Sequence, residues 1–248
     1  MDTSIYDLAK NLRILLVDDD SLSLRVIRHI IYGLGVKSIE EAFNGEEAKN
    51  LLDKHEFDLI ITDVQMPRMN GLELIKMIRS GQTQAPRELL AIVVTALSNS
   101  DVLRTSLALD VNGFLAKPMK PIVVHEKIRD ALNEKNLIVP KNEADYEAID
   151  TDLKTLGRQH IQTSADLDSE KSQVVADQNG PISDPNRVVI RELEPGMRIM
   201  HDLRLKDGTL LLSAGYRLSE TTINRLNELR DVLLEELVTI IPEEEEQK

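Results

Sequence analysis

Between Arg13 and Val17 the chain carries a short aliphatic run that ends in three consecutive acids, Asp18, Asp19 and Asp20. Behind them Leu22, Leu24, Val26, Ile27, Ile30 and Ile31 return at helical spacing, so the unit reads as strand, acidic loop and helix. The unit then recurs. Residues 36–42 are strand-like, 45–55 helical, 58–62 a buried strand, and 70–79 helical. Residues 89–95, 99–109, 113–116 and 122–133 extend the alternation to five strands and five helices. Such an alternation predicts a parallel sheet with helices on both faces. Right-handed crossovers bring every strand's carboxyl end to one edge, where sheets of this kind bind their ligands.

Beyond Asn136 the periodicity fails. Residues 142–152 are acidic and 162–185 are rich in Ser, Asp, Gln and Gly, so 137–185 reads as a linker, with room for one helix near 143–161. Order returns at Arg187: residues 188–191, 198–205 and 209–213 look like strands, with Lys206-Asp207-Gly208 as a hairpin turn signal. Ser219 is placed to cap a helix running to Val232, and 237–241 is a closing strand. The expected division is an α/β domain over 1–136, the linker, a small α+β and mainly β module over 186–242, and an acidic tail over 243–248.

Composition narrows the partners. In 248 residues, 42% are hydrophobic but only 3% aromatic, with no Trp, so aliphatic packing builds the cores and little is left to stack bases. A net charge of -13 repels phosphate backbones and anionic lipid, which argues against DNA and membrane partners. The chain has no cysteine, hence no disulfide and no thiolate metal site. No stretch is apolar enough to span a bilayer, and Met1-Asp2-Thr3-Ser4 does not resemble a signal peptide, so a cytoplasmic location is expected.

The strand ends of the first half carry Asp18, Asp19, Asp63, Thr95 and Lys117. Converging carboxylates repel one another unless a divalent cation sits among them, and hard oxygen donors suit Mg²⁺. A carboxylate can act as an in-line nucleophile, while a hydroxyl and an ammonium hold the oxygens of the transferred group. Each residue alone has an ordinary explanation: an Asp after a strand is commonly a turn or a cap, and Lys117 before Pro118 a surface residue. Their joint occurrence, in order and each at a strand end, is what points to phosphoryl chemistry.

Together the strings Leu15-Leu16-Val17-Asp18-Asp19-Asp20, Asp63-Val64-Gln65-Met66-Pro67 with Asn70-Gly71, Val94-Thr95-Ala96 and Phe114-Leu115-Ala116-Lys117-Pro118 resemble the receiver family of two-component response regulators, over about residues 11–135. The resemblance implies a flavodoxin-like, doubly wound fold. It implies that Asp63 is the phosphoacceptor, and that Mg²⁺ is held by Asp18, Asp19, Asp63 and the backbone carbonyl of Gln65. Thr95 and Lys117 would contact the phosphoryl group, and Thr95 and Phe114 would form the switch, unless Phe114 is an ordinary core aromatic. The Lys117-Pro118 peptide is expected to be cis. The donor would be a sensor histidine kinase or a phosphotransfer protein, and the chain a regulator with no substrate turnover of its own. Gln65 and Leu97 stand where the family tunes acyl-phosphate lifetime; an apolar Leu97 cannot orient an attacking water, although packing at a helix start accounts for it equally well.

In the second half Glu194-Pro195-Gly196-Met197, Asp207-Gly208-Thr209-Leu210-Leu211-Leu212, Ala214-Gly215 and Leu218 are similar to the small β-rich module found beside HD-GYP phosphodiesterase domains. The HD and GYP signatures themselves are incomplete: His201 and Asp202, as strand neighbours, would point to opposite faces, and Arg217 stands where Pro should be. The helix near Ser219 dilutes Arg225 and Arg230 with Glu220, Glu228 and Asp231, unlike a DNA-reading helix. Two outputs stay open. One is regulated contact with a downstream protein, with the receiver itself, or with a second copy in a phosphorylation-dependent homodimer. The other is a second-messenger module of the cyclic-di-GMP kind, with Arg191, Arg198, Arg204 and Arg217 as phosphate contacts.

Overall fold

A computed structural model describes residues 9–95, 100–133, 140–156, 186–206, 210–212, 214–218, 220–230, 233–235 and 237–241. The chain divides into two compact units, Met1–Thr151 and Asp152–Lys248. Leu97, the stretch 157–185, the turn at 207–209, Ser219 and the acidic tail lie outside the described residues.

In the first unit β1 (Arg13–Val17), β2 (Ser38–Ala42), β3 (Leu59–Asp63), β4 (Leu90–Thr95) and β5 (Gly113–Ala116) alternate with α1 (Ser21–Tyr32), α2 (Gly45–Leu52), α3 (Gly71–Arg79), α4 (Ser100–Ala108) and α5 (Pro121–Asn133). The strands form one parallel sheet in the order β2-β1-β3-β4-β5, the doubly wound arrangement. Alternate strand residues explain the layers. Ile14, Leu16, Leu59, Ile61, Leu90, Ile92, Val94 and Leu115 pack with Leu24, Ile27 and Ile31 of α1 and with Val124 and Ile128 of α5. Leu15, Ile60 and Val93, on the other face, are equally buried. Fully burying each such side chain contributes about 1.5–3 kcal/mol.

Local chemistry starts the helices. The Asp20 carboxylate accepts from the Leu22 and Ser23 amides and caps α1. Asn44 caps α2 by accepting from the Glu47 amide, and Asn70 and Glu73 form a reciprocal capping box at α3. Helix α2 ends at Leu52, earlier than the pattern suggests, because the Asp53 carboxylate turns back to Lys49 and accepts from the Gln84 amide.

Part of the expected linker belongs to this unit. Residues 140–151, with the short helix α6 (Glu143–Glu147), pack along α3 and the end of α4. Tyr146 is fully buried; its hydroxyl donates to Asp110 Oδ2 at 2.8 Å and accepts from the Lys141 amide at 3.1 Å. Lys141 Nζ reaches the same Asp110 oxygen at 3.1 Å, and Arg87 and Lys141 flank the ring. Lys76 Nζ donates to the Ile149 carbonyl at 2.7 Å.

In the second unit α7 (Leu153–Leu156) precedes two antiparallel pairs, β6 (Arg187–Val189) with β9 (Leu237–Thr239) and β7 (Leu203–Arg204) with β8 (Leu210–Leu212). Helix α8 (Glu220–Glu228) buries Ile223 and Leu226 and lies against the turn that holds the buried Ile190; Ile199, Leu203, Leu212 and Val238 are buried as well. The strand predicted over 188–191 stops at Val189, where a 3₁₀ turn over Ile190–Glu192 tucks Ile190 inward. The strand predicted over 198–205 is broken because its residues bridge to different partners: Arg198 to Arg217, Ile199 to Ile240 and Leu205 to Leu233. Where one helix was predicted over 143–161, the described residues 143–156 hold two short helices, α6 and α7, and 157–161 lie outside the described residues. Among the described residues no helix is long and apolar enough to cross a membrane.

Candidate functional site

Register aligns the strand ends. Val17 pairs with Thr62, Asp63 with Val94, and Thr95 with Ala116. The residues at or just past these positions, Asp18, Asp63, Thr95 and Lys117, therefore form one row across the carboxyl edge of the sheet. Asp18 and Asp63 are buried, at 5% and 7% exposure, and Thr95 is buried beside them at the end of β4. Asp19 lies exposed at the rim, and Asp20 serves α1 as its cap.

Lys117 links the row. Its ammonium lies 2.6 Å from Asp63 Oδ1 and 3.0 Å from Asp18 Oδ2, and the Lys117-Pro118 peptide is cis, as the resemblance implied. The second oxygen of each carboxylate accepts a backbone amide: Gln65 donates to Asp63 Oδ2 at 2.8 Å, and Asp20 to Asp18 Oδ1 at 2.9 Å. Desolvation holds the Asp63 carboxyl above the usual aspartate range in spite of Lys117, with the neighbouring Asp18 adding to the rise. For Lys117 burial acts downward, but its bonds to Asp63 and Asp18 outweigh it and hold the ammonium above the usual lysine range.

The expected meeting of three carboxylates is thus only partly realised. Asp18 and Asp63 converge on a cation, but that cation is an ammonium, and Asp19 is exposed. Among the described residues no three His, Cys, Asp or Glu side chains stand in metal-ligating geometry. The donors nevertheless fit a divalent cation. Two buried carboxylates share a single positive charge, every available donor is a hard oxygen, and Asp19 lies at the mouth of the site.

The loop after β3 is held from below. The Gly71 amide donates to the Val64 carbonyl, and a Cβ at Gly71 would collide with the Asp63 carbonyl oxygen. Only glycine lets α3 begin so close to β3. Asn70, besides capping α3, donates from Nδ2 to the Thr151 carbonyl at 2.9 Å and so ties the 140–151 segment to this loop. Sequence reasoning missed that tie. Its available signal was Tyr146, a large aromatic in an otherwise acidic stretch. Phe114 is buried within β5.

A parallel sheet of order 2-1-3-4-5 with this row at its edge defines an acidic, lysine-bridged site, and comparison with known proteins gives the domain a family. The family described as "Response regulator receiver domain" matches residues 14–129. A "Chemotaxis protein CheY homolog" of Campylobacter jejuni is 38% identical over 122 residues, covering 49% of this chain and 92% of that protein. "Chemotaxis protein CheY" of Pseudomonas aeruginosa is 32% identical over 125 residues, 50% of this chain and 99% of that protein. A solved CheY-like receiver domain protein of Methanospirillum hungatei is 27% identical with a TM-score of 0.46, covering 50% of this chain and 95% of that one. The chain belongs to the response regulator receiver domain family and carries the receiver of a two-component response regulator.

Proposed function

We propose that Asp63 is the phosphoacceptor of a Mg²⁺-dependent switch, and that the carboxy-terminal module delivers the output through regulated protein contact in the cytoplasm. The observation that carries this reading is the Lys117 ammonium set between two buried carboxylates at the sheet's carboxyl edge. The donor is a phosphohistidine on a sensor kinase or phosphotransfer protein. An Asp63 oxygen attacks phosphorus, the phosphorus–nitrogen bond breaks, the imidazole leaves with that electron pair, and an acyl phosphate remains. Asp18, Asp19, Asp63 and the Gln65 carbonyl would hold Mg²⁺, which supplies positive charge to the phosphoryl oxygens when bound. Lys117 exchanges its bond to Asp63 for one to the phosphoryl group, and Thr95 donates its hydroxyl. Phe114 supplies the two-position element that these contacts bias.

Leu22 and Ile122 are exposed at the starts of α1 and α5, the helix ends nearest the acceptor edge, with Val26 exposed one turn further along α1, and together they offer the donor an apolar landing. The tie from Asn70 to Thr151 gives the phosphorylated loop a physical route to the segment that leads into the second unit. Incubation with Mg²⁺ and a small-molecule phosphoryl donor, read by intact-protein mass spectrometry, tests the reading. One phosphoryl group is expected on the wild type and none on Asp63→Asn; equal labelling of both would refute Asp63 as the acceptor.

A further inference from the structure

The second unit contains a concavity that the switch does not use. It has a volume of about 440 Å³ and is lined by Arg187, Val189, Arg191, Arg230, Glu235 and Leu237. Val189 and Leu237 are direct cross-strand partners of the β6–β9 pair, and Arg187 lies two residues from Val189 on the same face. Arg191 comes from the 3₁₀ turn that follows β6, and Arg230 from the chain just past α8. The result is an apolar floor of Val189 and Leu237 rimmed by three guanidiniums.

The groove's charge is opposite in sign to that of the chain as a whole. The chain carries a net charge of -13, yet the lining holds three arginines against one carboxylate. Among the described residues the nearby acids pair only loosely with the forks: Arg187 Nη2 is 3.8 Å from Glu235 and Arg191 Nε is 3.9 Å from Glu192, both ion pairs longer than a hydrogen bond. A planar guanidinium donates in pairs to phosphate oxygens, and an apolar floor between such forks accepts a flat ring. The volume suits a small molecule.

We infer that this groove is a nucleotide site, with the base on Val189 and Leu237 and the phosphates on Arg187, Arg191 and Arg230. Of the arginines that sequence reading put forward as phosphate contacts, only Arg191 lines it. Arg198 bridges to Arg217, Arg217 donates to the Gly196 carbonyl, and Arg204 pairs with Asp202. The site is independent of Asp63, so failure of the phosphoacceptor reading would leave it untouched.

Calorimetric titration of the full chain with ATP, GTP, a cyclic dinucleotide and pyrophosphate tests the inference. At least one nucleotide is expected to bind with Kd below about 100 μM and at least about tenfold more tightly than pyrophosphate. The double variant Arg187→Ala/Arg230→Ala should weaken that binding at least about tenfold while keeping the wild-type circular dichroism spectrum, and Arg204→Ala should leave it unchanged. Should the double variant not fold, Arg191→Ala, on an exposed turn, provides the same readout. No nucleotide binding at about 1 mM, pyrophosphate binding as tight as any nucleotide, or binding indifferent to these arginines would each overturn it.

Discussion

At the scale of single residues, burying Asp63 is costly to the fold, and that cost is measurable. Burial raises the Asp63 carboxyl, so its charged form is penalised in the fold relative to the unfolded chain. The native state is therefore favoured below the ordinary aspartate range and loses stability as pH rises through the raised value. Asp63→Asn removes the penalty: in metal-free buffer at pH 7 its Tm should exceed wild type by about 2–4 °C, the gain vanishing near pH 4, as a thermal-melt series will show. Lys117→Ala acts in the opposite direction, leaving Asp18 and Asp63 without their shared cation. With the Lys117 side chain 37% exposed and partly screened, a loss of about 1–2 kcal/mol at pH 7 is expected in urea melts, recovered on acidification or with added Mg²⁺. Gly71→Ala, which drives a methyl into the Asp63 carbonyl, should abolish phosphorylation in the mass-spectrometric assay even where the protein still folds.

At the scale of elements, the first half was readable because each signal was local and repeated. Aliphatic runs of strand length, helical spacing behind them, and caps such as Asp20, Asn44 and Asn70 all pointed the same way. Residues 140–151 were not readable, because their order comes from a distant surface. Tyr146 is held by Asp110, a residue with φ of +50° just past α4, and by Lys141. Tyr146→Ala should cost the receiver about 3–5 kcal/mol in urea denaturation, and Tyr146→Phe, which removes only the hydroxyl, about 1 kcal/mol. The second unit failed for a related reason. Alternation marked 198–205 as strand-like, but bridges from Arg198, Ile199 and Leu205 to three separate stretches prevent a continuous ladder, and no periodicity encodes that.

At the scale of the whole molecule, the loop after β3, α3 and the 140–151 segment share one hydrogen-bond network through Asn70 and Lys76. Beryllofluoride, a mimic of the phosphoryl group, should with Mg²⁺ alter amide exchange across 140–151 in wild type and leave it unchanged in Asp63→Asn; identical exchange in both would separate the segment from the switch. The amino-acid sequence by itself determined the parallel sheet, its acidic carboxyl edge and the identity of Asp18, Asp63, Thr95 and Lys117, because residues at strand ends are brought together by topology alone. Tertiary structure decided that Lys117 rests between the two carboxylates, that Asp19 stands at the rim, that Tyr146 binds a stretch expected to be linker, and that Arg187, Arg191 and Arg230 line one groove. Those outcomes depend on how side chains far apart in the chain meet, neutralise charge and exclude water, which local pattern does not record.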